Sequence, residues 1–502
     1  MEDLRIEAGL SLADILASLS YALDLTSGQP MGHAQRTCLI GMRLGDAIGL
    51  PEDQLVSLYH ALLMKDAGCS SNAARMYEIF GSDDISAKRM SKITDWSNLL
   101  EAAKYVAANT FPESTLIIRA RRMLHIVTHK SQTTDALMHA RCDRGAQIAL
   151  FIGLGEASAG CIRHLDEHWD GNGGPYHLTG DNIPLLSRIT CLAQTLEVFA
   201  STFDVETAYA MIQKRSAKWF DPELVRLAIE FKDDDSFWNS VQNDTRETLL
   251  RIEVRTAIET TTDSHIDTVC DAFAQIVDAK SSFTAEHSSR VRDYTVEMAE
   301  ALGIQGKRLS TLSRAALLHD VGKLGVSNAI LDKPGKPDDD EWAAIKRHPE
   351  YTQKILSHIP GFARLTEIAA AHHERLDGKG YFRGLTADQL DLDMRILAVA
   401  DVFDALTAKR PYRDALPLVE VYKILDRDAG VALDADCIAA LKAIHPALGT
   451  ETLYLEKGRT SARRLISLPP MRQVFSFPPS EGEAEQWNIA AAKVGNCHQS
   501  VE

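Results

Sequence analysis

The eight cysteines of this 502-residue chain include no Cys-x-x-Cys pair and no spacing that suggests a disulfide framework. That argues against a cysteine-held zinc module and against a small cross-linked secreted fold, and points to a reducing compartment. No stretch approaches about 18 uninterrupted apolar residues, so no membrane-spanning helix is expected. The start, Met1 to Arg5, has neither the basic flank nor the apolar core of a secretion signal. The expected location is the cytoplasm. Basic residues are in deficit, with 54 Lys and Arg against 70 Asp and Glu and a net charge of −16. So acidic a chain is a poor general binder of polymeric nucleic acid or of an anionic membrane. A small anion can still bind where cations are gathered locally.

Strand-like alternation is scarce too, and helical periodicity takes its place. Leu12, Ile15, Leu16, Leu19 and Leu23 recur at helix spacing within 10–25. Further helices are expected over 34–48, 54–63, 115–128, 146–152, 183–199 and 206–213. The run Lys232 to Ser236 interrupts the rhythm, and Asp233 to Asp235 read as a solvated run or a helix cap rather than a metal site. A long helical stretch over 245–280 follows. The expected fold class is all-α, and the length suits two or three domains.

The second half gathers residues that can carry chemistry. His319 and Asp320 put an imidazole nitrogen beside a carboxylate, a mixture that suits divalent iron, manganese or zinc. If 315–323 is helical, Lys323 lies one turn beyond His319 on the same face, placed to hold a phosphate. His348, then His372 and His373 within 365–375, then Asp401 within 395–406 follow in apolar-periodic segments. With His287 upstream they make seven candidate ligands, about what two metals sharing a bridging carboxylate require. Asp338 to Glu341 read instead as a helix cap. The loop Asp377-Gly378-Lys379-Gly380-Tyr381-Phe382 has glycines that permit positive φ and close approach to a ligand. Lys409, Arg410 and Arg413 add cations.

Together, His287-Ser-Ser-Arg-Val, Leu-Leu-His319-Asp320-Val-Gly-Lys323, His372-His373-Glu-Arg-Leu-Asp-Gly-Lys-Gly380-Tyr381 and Asp401-Val-Phe-Asp-Ala-Leu-Thr resemble the HD-GYP family, in family order over about 267–425. The resemblance implies an all-helical, metal-dependent phosphodiesterase that hydrolyses cyclic di-GMP to linear pGpG or on to GMP, through a metal-activated water at a dinuclear site. It implies His287, His319, Asp320, His348, His372, His373 and Asp401 as ligands of two divalent ions, iron or manganese, with Asp320 bridging. It further implies catalytic roles for Lys323, at the scissile phosphate, and for Asp320, with Gly380, Tyr381, Arg410 and Arg413 meeting the dinucleotide. Phe382 stands where the signature has proline, and Phe283 where some members have a glutamate for a third metal. The alternatives are another cyclic dinucleotide, such as cyclic GMP-AMP, or a non-catalytic sensor or scaffold. Such a scaffold would meet a signalling partner through the Gly380–Phe382 loop, and a homodimer is also open.

The first half reads as a worn copy of the second. Of the ligand positions only His33 and Asp66 survive, opposite His287 and Asp320, while the others become Lys65, Cys142, Leu165, Asp166 and Gln194, and Glu167 mirrors Glu374. Such a set cannot hold two metals. The expected organisation is a degenerate HD-type domain at 1–231 with a packing, regulatory or dimerisation role, and a helical linker at 232–266. An HD-GYP domain at 267–455 and a loosely ordered tail at 456–502 complete it.

Overall fold

The computed structural model describes residues 10–96, 98–111, 115–128, 130–243, 245–253, 261–281, 286–333, 335–359, 361–409 and 414–446. Among them no β-strand forms, and extended backbone meets only in isolated bridges such as Asp377 with Thr386. The class is all-α. No helix among the described residues is long and apolar enough to cross a membrane.

The opening helices, Leu12–Thr26, His33–Ile48 and Glu52–Met64, follow the apolar periodicity. Ser11 caps the first by accepting from the Asp14 N–H, and Gly49, at φ +77°, ends the second. At the charged run, the Asp234 carboxylate accepts from the Phe237 N–H at 3.0 Å and so caps the Asp235–Asn243 helix. Asp338 and Glu341 form a reciprocal capping box on the Asp339–Lys346 helix, which accounts for that acidic cluster.

Three helix expectations need correction. The stretch 245–280 divides into Thr245–Glu253 and Asp263–Asp278, because Thr262 caps the second helix by accepting from the His265 N–H. The helix before the His-Asp pair stops at Leu318, and Val321–Gly325 winds as a 3-10 turn. There the Gly322 N–H donates to the Thr352 hydroxyl, which donates to the His319 carbonyl, so a tertiary bond replaces the helical one. The third, Ala363–Ala370, ends before His372 and His373, which occupy the turn that follows.

Residues 10–446 lie within one compact unit, Met1–Ala447. Leu12–Thr26 packs on its neighbours in the first half and also on Val321–Gly325 and His348–Leu356. Asp263–Asp278 likewise spans the seam, between Lys130–Ile152 and the helices His287–Ala301 and Gly306–Leu318. Ile15, Leu19, Leu324 and Ile355 are fully buried in the resulting common core, each contributing about 1.5–3 kcal/mol by burial. One buried charge crosses the seam. Asp84 accepts from the Asn328 N–H at 2.8 Å and pairs with Lys88 at 3.2 Å and Lys280 at 3.5 Å. Lys280 precedes His287 in the chain and Asn328 follows Lys323, so a first-half carboxylate ties down the segments before His287 and after Lys323.

Candidate metal centre

The fold brings the seven expected ligands together around Asp320. Its Oδ2 lies 3.3 Å from the Nε2 atoms of both His287 and His319. Its Oδ1 faces the other way, 3.3 Å from His348 Nε2 and 3.6 Å from His372 Nε2. Asp401 closes the first group, with Oδ1 3.5 Å from His287 Nε2 and 3.8 Å from His319 Nε2. Its other oxygen reaches 3.7 Å from His373 Nδ1. Three overlapping groups with ligand spacing result, His287–His319–Asp401, His348–His372–His373 and His319–Asp320–His372, the last of which puts Asp320 between the other two.

Backbone and side-chain acceptors aim these imidazoles. His319, His348 and His372 each donate Nδ1–H to the carbonyl three residues earlier, those of Ala316, Ile345 and Ala369, at 2.6–2.7 Å. His287 Nδ1 lies 2.7 Å from Asp404, which Arg290 also holds at 2.6 Å. Fixing Nδ1 as the donor leaves each Nε2 lone pair facing the centre. His348 and His372 Nε2 then stand 3.0 Å apart, acceptor against acceptor. That is unfavourable alone but matches adjacent ligands on one cation with bonds of about 2.1 Å. His287 Nε2, His319 Nε2 and Asp320 Oδ1 are buried without hydrogen-bond partners. The donor set therefore fits divalent cations.

The charge states agree. Burial and neighbouring histidines push His372 and His373 well below the usual imidazole range, and burial lowers His348 too, so all three are neutral. Burial opposes ionisation of Asp320, but His319 and Lys323 overcome it and hold the carboxyl well below its usual range. His287 is the exception: against the cost of burial, the carboxylates of Asp320 and Asp404 raise it to about 9, so without an ion it holds a proton that a cation at Nε2 would displace.

Lys323 contacts Asp320 from the 3-10 turn rather than from a continued helix. It is 20% exposed and His373 is 22% exposed, which puts the opening of the centre on their side. Tyr381 stands over that opening, its ring 4.5 Å from His373. Burial, with Asp401 adding to it, raises its phenol and keeps the proton on. Gly380 packs against its own chain, since an added Cβ would meet Glu374 Cα at 2.5 Å and the His373 carbonyl at 2.7 Å. The buried Glu374 holds the loop by accepting from the Arg383 and Leu385 N–H groups at 2.8 and 2.9 Å. Phe382 adopts φ +101°, a conformation closed to proline. Arg410, Arg413 and Phe283 lie outside the described residues. Asp404, Arg290, Glu374 and Thr352 are functional supports that motif reading missed. Asp404 lies one turn after Asp401, and that spacing was the available signal.

The first half repeats the supports with different groups at the centre. His33 Nδ1 pairs with Glu197, which Arg36 also holds at 2.7 Å. Glu167 accepts from the Tyr176 and Leu178 N–H groups, nine and eleven residues on, the same offsets as at Glu374. A Cβ on Gly68 would strike the Arg141 carbonyl and the Gly145 nitrogen, as one on Gly322 would strike the His348 carbonyl and the Thr352 nitrogen. Arg141, not Cys142, therefore takes the place of His348. In the middle, Lys65 contacts Asp66, Lys92 lies 3.2 Å from Asp66 and 3.3 Å from Gln194, and Arg141 pairs with Asp166. Fixed cations stand where the second half gathers neutral imidazoles.

The chain is similar to known proteins. The HD domain family model matches residues 123–224 and 271–437. A 3'3'-cGAMP-specific phosphodiesterase 3 of Vibrio cholerae is 42% identical over 432 residues, 86% of this chain and 94% of that protein. A cyclic di-GMP phosphodiesterase response regulator of Xanthomonas campestris is 36% identical over 170 residues, 34% of this chain and 45% of that protein. The crystal structure of a cyclic GMP-AMP specific phosphodiesterase of V. cholerae superposes with a TM-score of 0.61 at 37% identity, covering 88% of this chain and 99% of that one.

Proposed function

The chain belongs to the HD-GYP branch of the HD-domain family, and from that premise we propose that it is a phosphodiesterase that opens cyclic dinucleotides with the help of two divalent ions. The observation that carries this reading is Asp320, whose two oxygens face separate ligand groups. His287, His319 and Asp401 would hold one ion, and His348, His372 and His373 the other, with Asp320 shared. Iron suits the imidazoles of this set and manganese its carboxylates. When bound, such ions neutralise phosphate oxygens and acidify the attacking water. The chain's own groups do the rest. Lys323, at the open side, meets the scissile phosphate, and the protonated Tyr381 donates a hydrogen bond across the opening. The product of one cut is the linear dinucleotide.

Between substrates, 3'3'-cGAMP is favoured over the cyclic di-GMP that the motifs first suggested. The relative matching 86% of the chain is named for cGAMP, whereas the cyclic di-GMP relative of X. campestris matches only 34%. Residues 1–231 are a degenerate HD-type domain, joined through 232–266 to the catalytic 267–455. Its matched supports and its cation-filled centre favour a metal-free packing, regulatory or dimerisation role. The cytoplasm is the location that suits its free cysteines.

The test is hydrolysis by protein purified without oxygen and loaded with ferrous iron or manganese, with both dinucleotides offered at equal concentration and products separated by chromatography. Faster loss of 3'3'-cGAMP with a linear product is expected. Metal-loaded protein that cleaves neither would overturn the reading.

A further inference from the structure

Outside the ligand cluster, one large aromatic side chain is unusually exposed for its position. Trp342, on the Asp339–Lys346 helix, is 43% exposed, and its ring lies 6.2 Å from that of Tyr381. Tyr381 in turn lies 4.5 Å from the His373 ring and 6.4 Å from that of His348. The two aromatics therefore lead outward from the centre in a continuous row. Lys346 is placed over both rings, its Nζ 5.5 Å from Trp342 and 5.9 Å from Tyr381. A Trp–Lys pair one turn apart on a helix is ordinary surface decoration. This pair differs because a third member comes from the loop over the centre.

We propose that Trp342, Tyr381 and Lys346 form a purine subsite, in which a base stacks on Trp342 while Lys346 donates to its edge. The proposal rests on the phosphodiesterase reading for the position of the phosphate, and goes beyond it in naming what holds the base. A phosphate at the cluster puts its nucleoside one sugar further out, and the aromatic row leads from the cluster through Tyr381 to Trp342. Stacking on an exposed indole suits any purine. The ammonium adds choice, since guanine presents two acceptors, O6 and N7, on the edge where adenine presents one acceptor and one donor. The subsite therefore takes the guanine half, which 3'3'-cGAMP and cyclic di-GMP both carry and cyclic di-AMP lacks.

The experiment compares Trp342→Ala, Trp342→Phe and Lys346→Met with the unaltered, manganese-loaded protein, reading KM and kcat for each dinucleotide, equilibrium binding and metal content. Loss of a stacked base corresponds to a rise of roughly fivefold to a hundredfold in KM or Kd for 3'3'-cGAMP in Trp342→Ala. Metal content should be unchanged, kcat should move far less, and Trp342→Phe should recover most of the affinity. Lys346→Met should weaken the guanine-containing dinucleotides and leave cyclic di-AMP unaffected. An unchanged KM and Kd in Trp342→Ala, or a loss confined to kcat, or a loss that follows metal content, overturns the subsite. If the unaltered protein binds 3'3'-cGAMP through Trp342 but cleaves nothing, the subsite stands and the phosphodiesterase reading falls. If it binds no dinucleotide at all, the subsite falls as well.

Discussion

His287 Nδ1 lies 2.7 Å from Asp404, and the same pairing recurs between His33 and Glu197 in the first half. In the second half it turns the opposite nitrogen toward Asp320 and Asp401. Supports of this kind typically matter 10- to 100-fold for metal affinity. Asp404→Asn should therefore weaken metal binding by about that factor while the helices stay intact. Glu197→Gln should leave metal content as it was and lower only the melting temperature. Metal titration followed by a thermal melt separates the two. Wild-type affinity in Asp404→Asn would remove that residue from the centre.

Lys323 and the ligands should separate in the same assay. His319→Ala with Asp320→Ala removes two donors and should abolish metal binding, with helicity retained. Lys323→Ala should keep the metals yet lose most of the turnover, roughly 100-fold or more if it stabilises charge developing on the phosphate. A Lys323→Ala protein with full turnover would confine Lys323 to pairing with Asp320.

The ligand set was legible in the sequence because its histidines and aspartates stand in the HD-GYP motifs in family order, not because helix spacing fixes their faces, since His319, Asp320, His372 and His373 occupy turns. What could not be read is where helices stop. The ends at Leu318 and Ala370 depend on partners elsewhere, such as Thr352 bonding Gly322 and His319. Pairing Cys142 with His348 failed by one residue for the same reason. The register of that helix is set by close contact with Gly68, which no periodicity records. No motif or spacing in the sequence marks Asp84. Only the packing of the two halves makes it the buried partner of Lys88 and Lys280.

Removing Asp84 tests whether that seam matters to the centre. Burial alone would raise its carboxyl, yet Lys280 and Lys88 hold it below the usual range. Asp84→Ala leaves two buried ammonium groups without their carboxylate, at a cost of about 3–5 kcal/mol. Denaturant unfolding should show that loss. Metal affinity should fall as well, because the segments flanking His287 and Lys323 are released. Lost stability with unchanged metal affinity would show that the clamp serves the fold alone.

Lys280 gives the seam a pH signature. Burial lowers its ammonium from 10.5 to about 8, with Asp84 opposing the shift. Between those values the unfolded chain binds a proton that the folded chain does not, so stability rises with pH across the window. The advantage of the unaltered protein over Lys280→Met, read by urea midpoints, should therefore grow from about pH 8 to 10.5. A difference that stays flat, or shrinks, would place the lysine in a wetter setting.

Phe382 offers a test of opposite signs at one position. Its φ of +101° is strained for a residue with a Cβ, at about 1–3 kcal/mol, and proline is locked near −65°. Glu374 anchors the backbone on the far side through Arg383 and Leu385, so residue 382 cannot swing without breaking those bonds. Phe382→Gly should relieve the strain and raise the melting temperature, since the entropy glycine adds to the unfolded chain is smaller, about 0.5–1 kcal/mol. Phe382→Pro should lower it and raise KM, because Tyr381 moves with the loop. If both substitutions shift stability in the same direction, Glu374 does not anchor this turn, and the conformation of Phe382 reflects a loop free to choose.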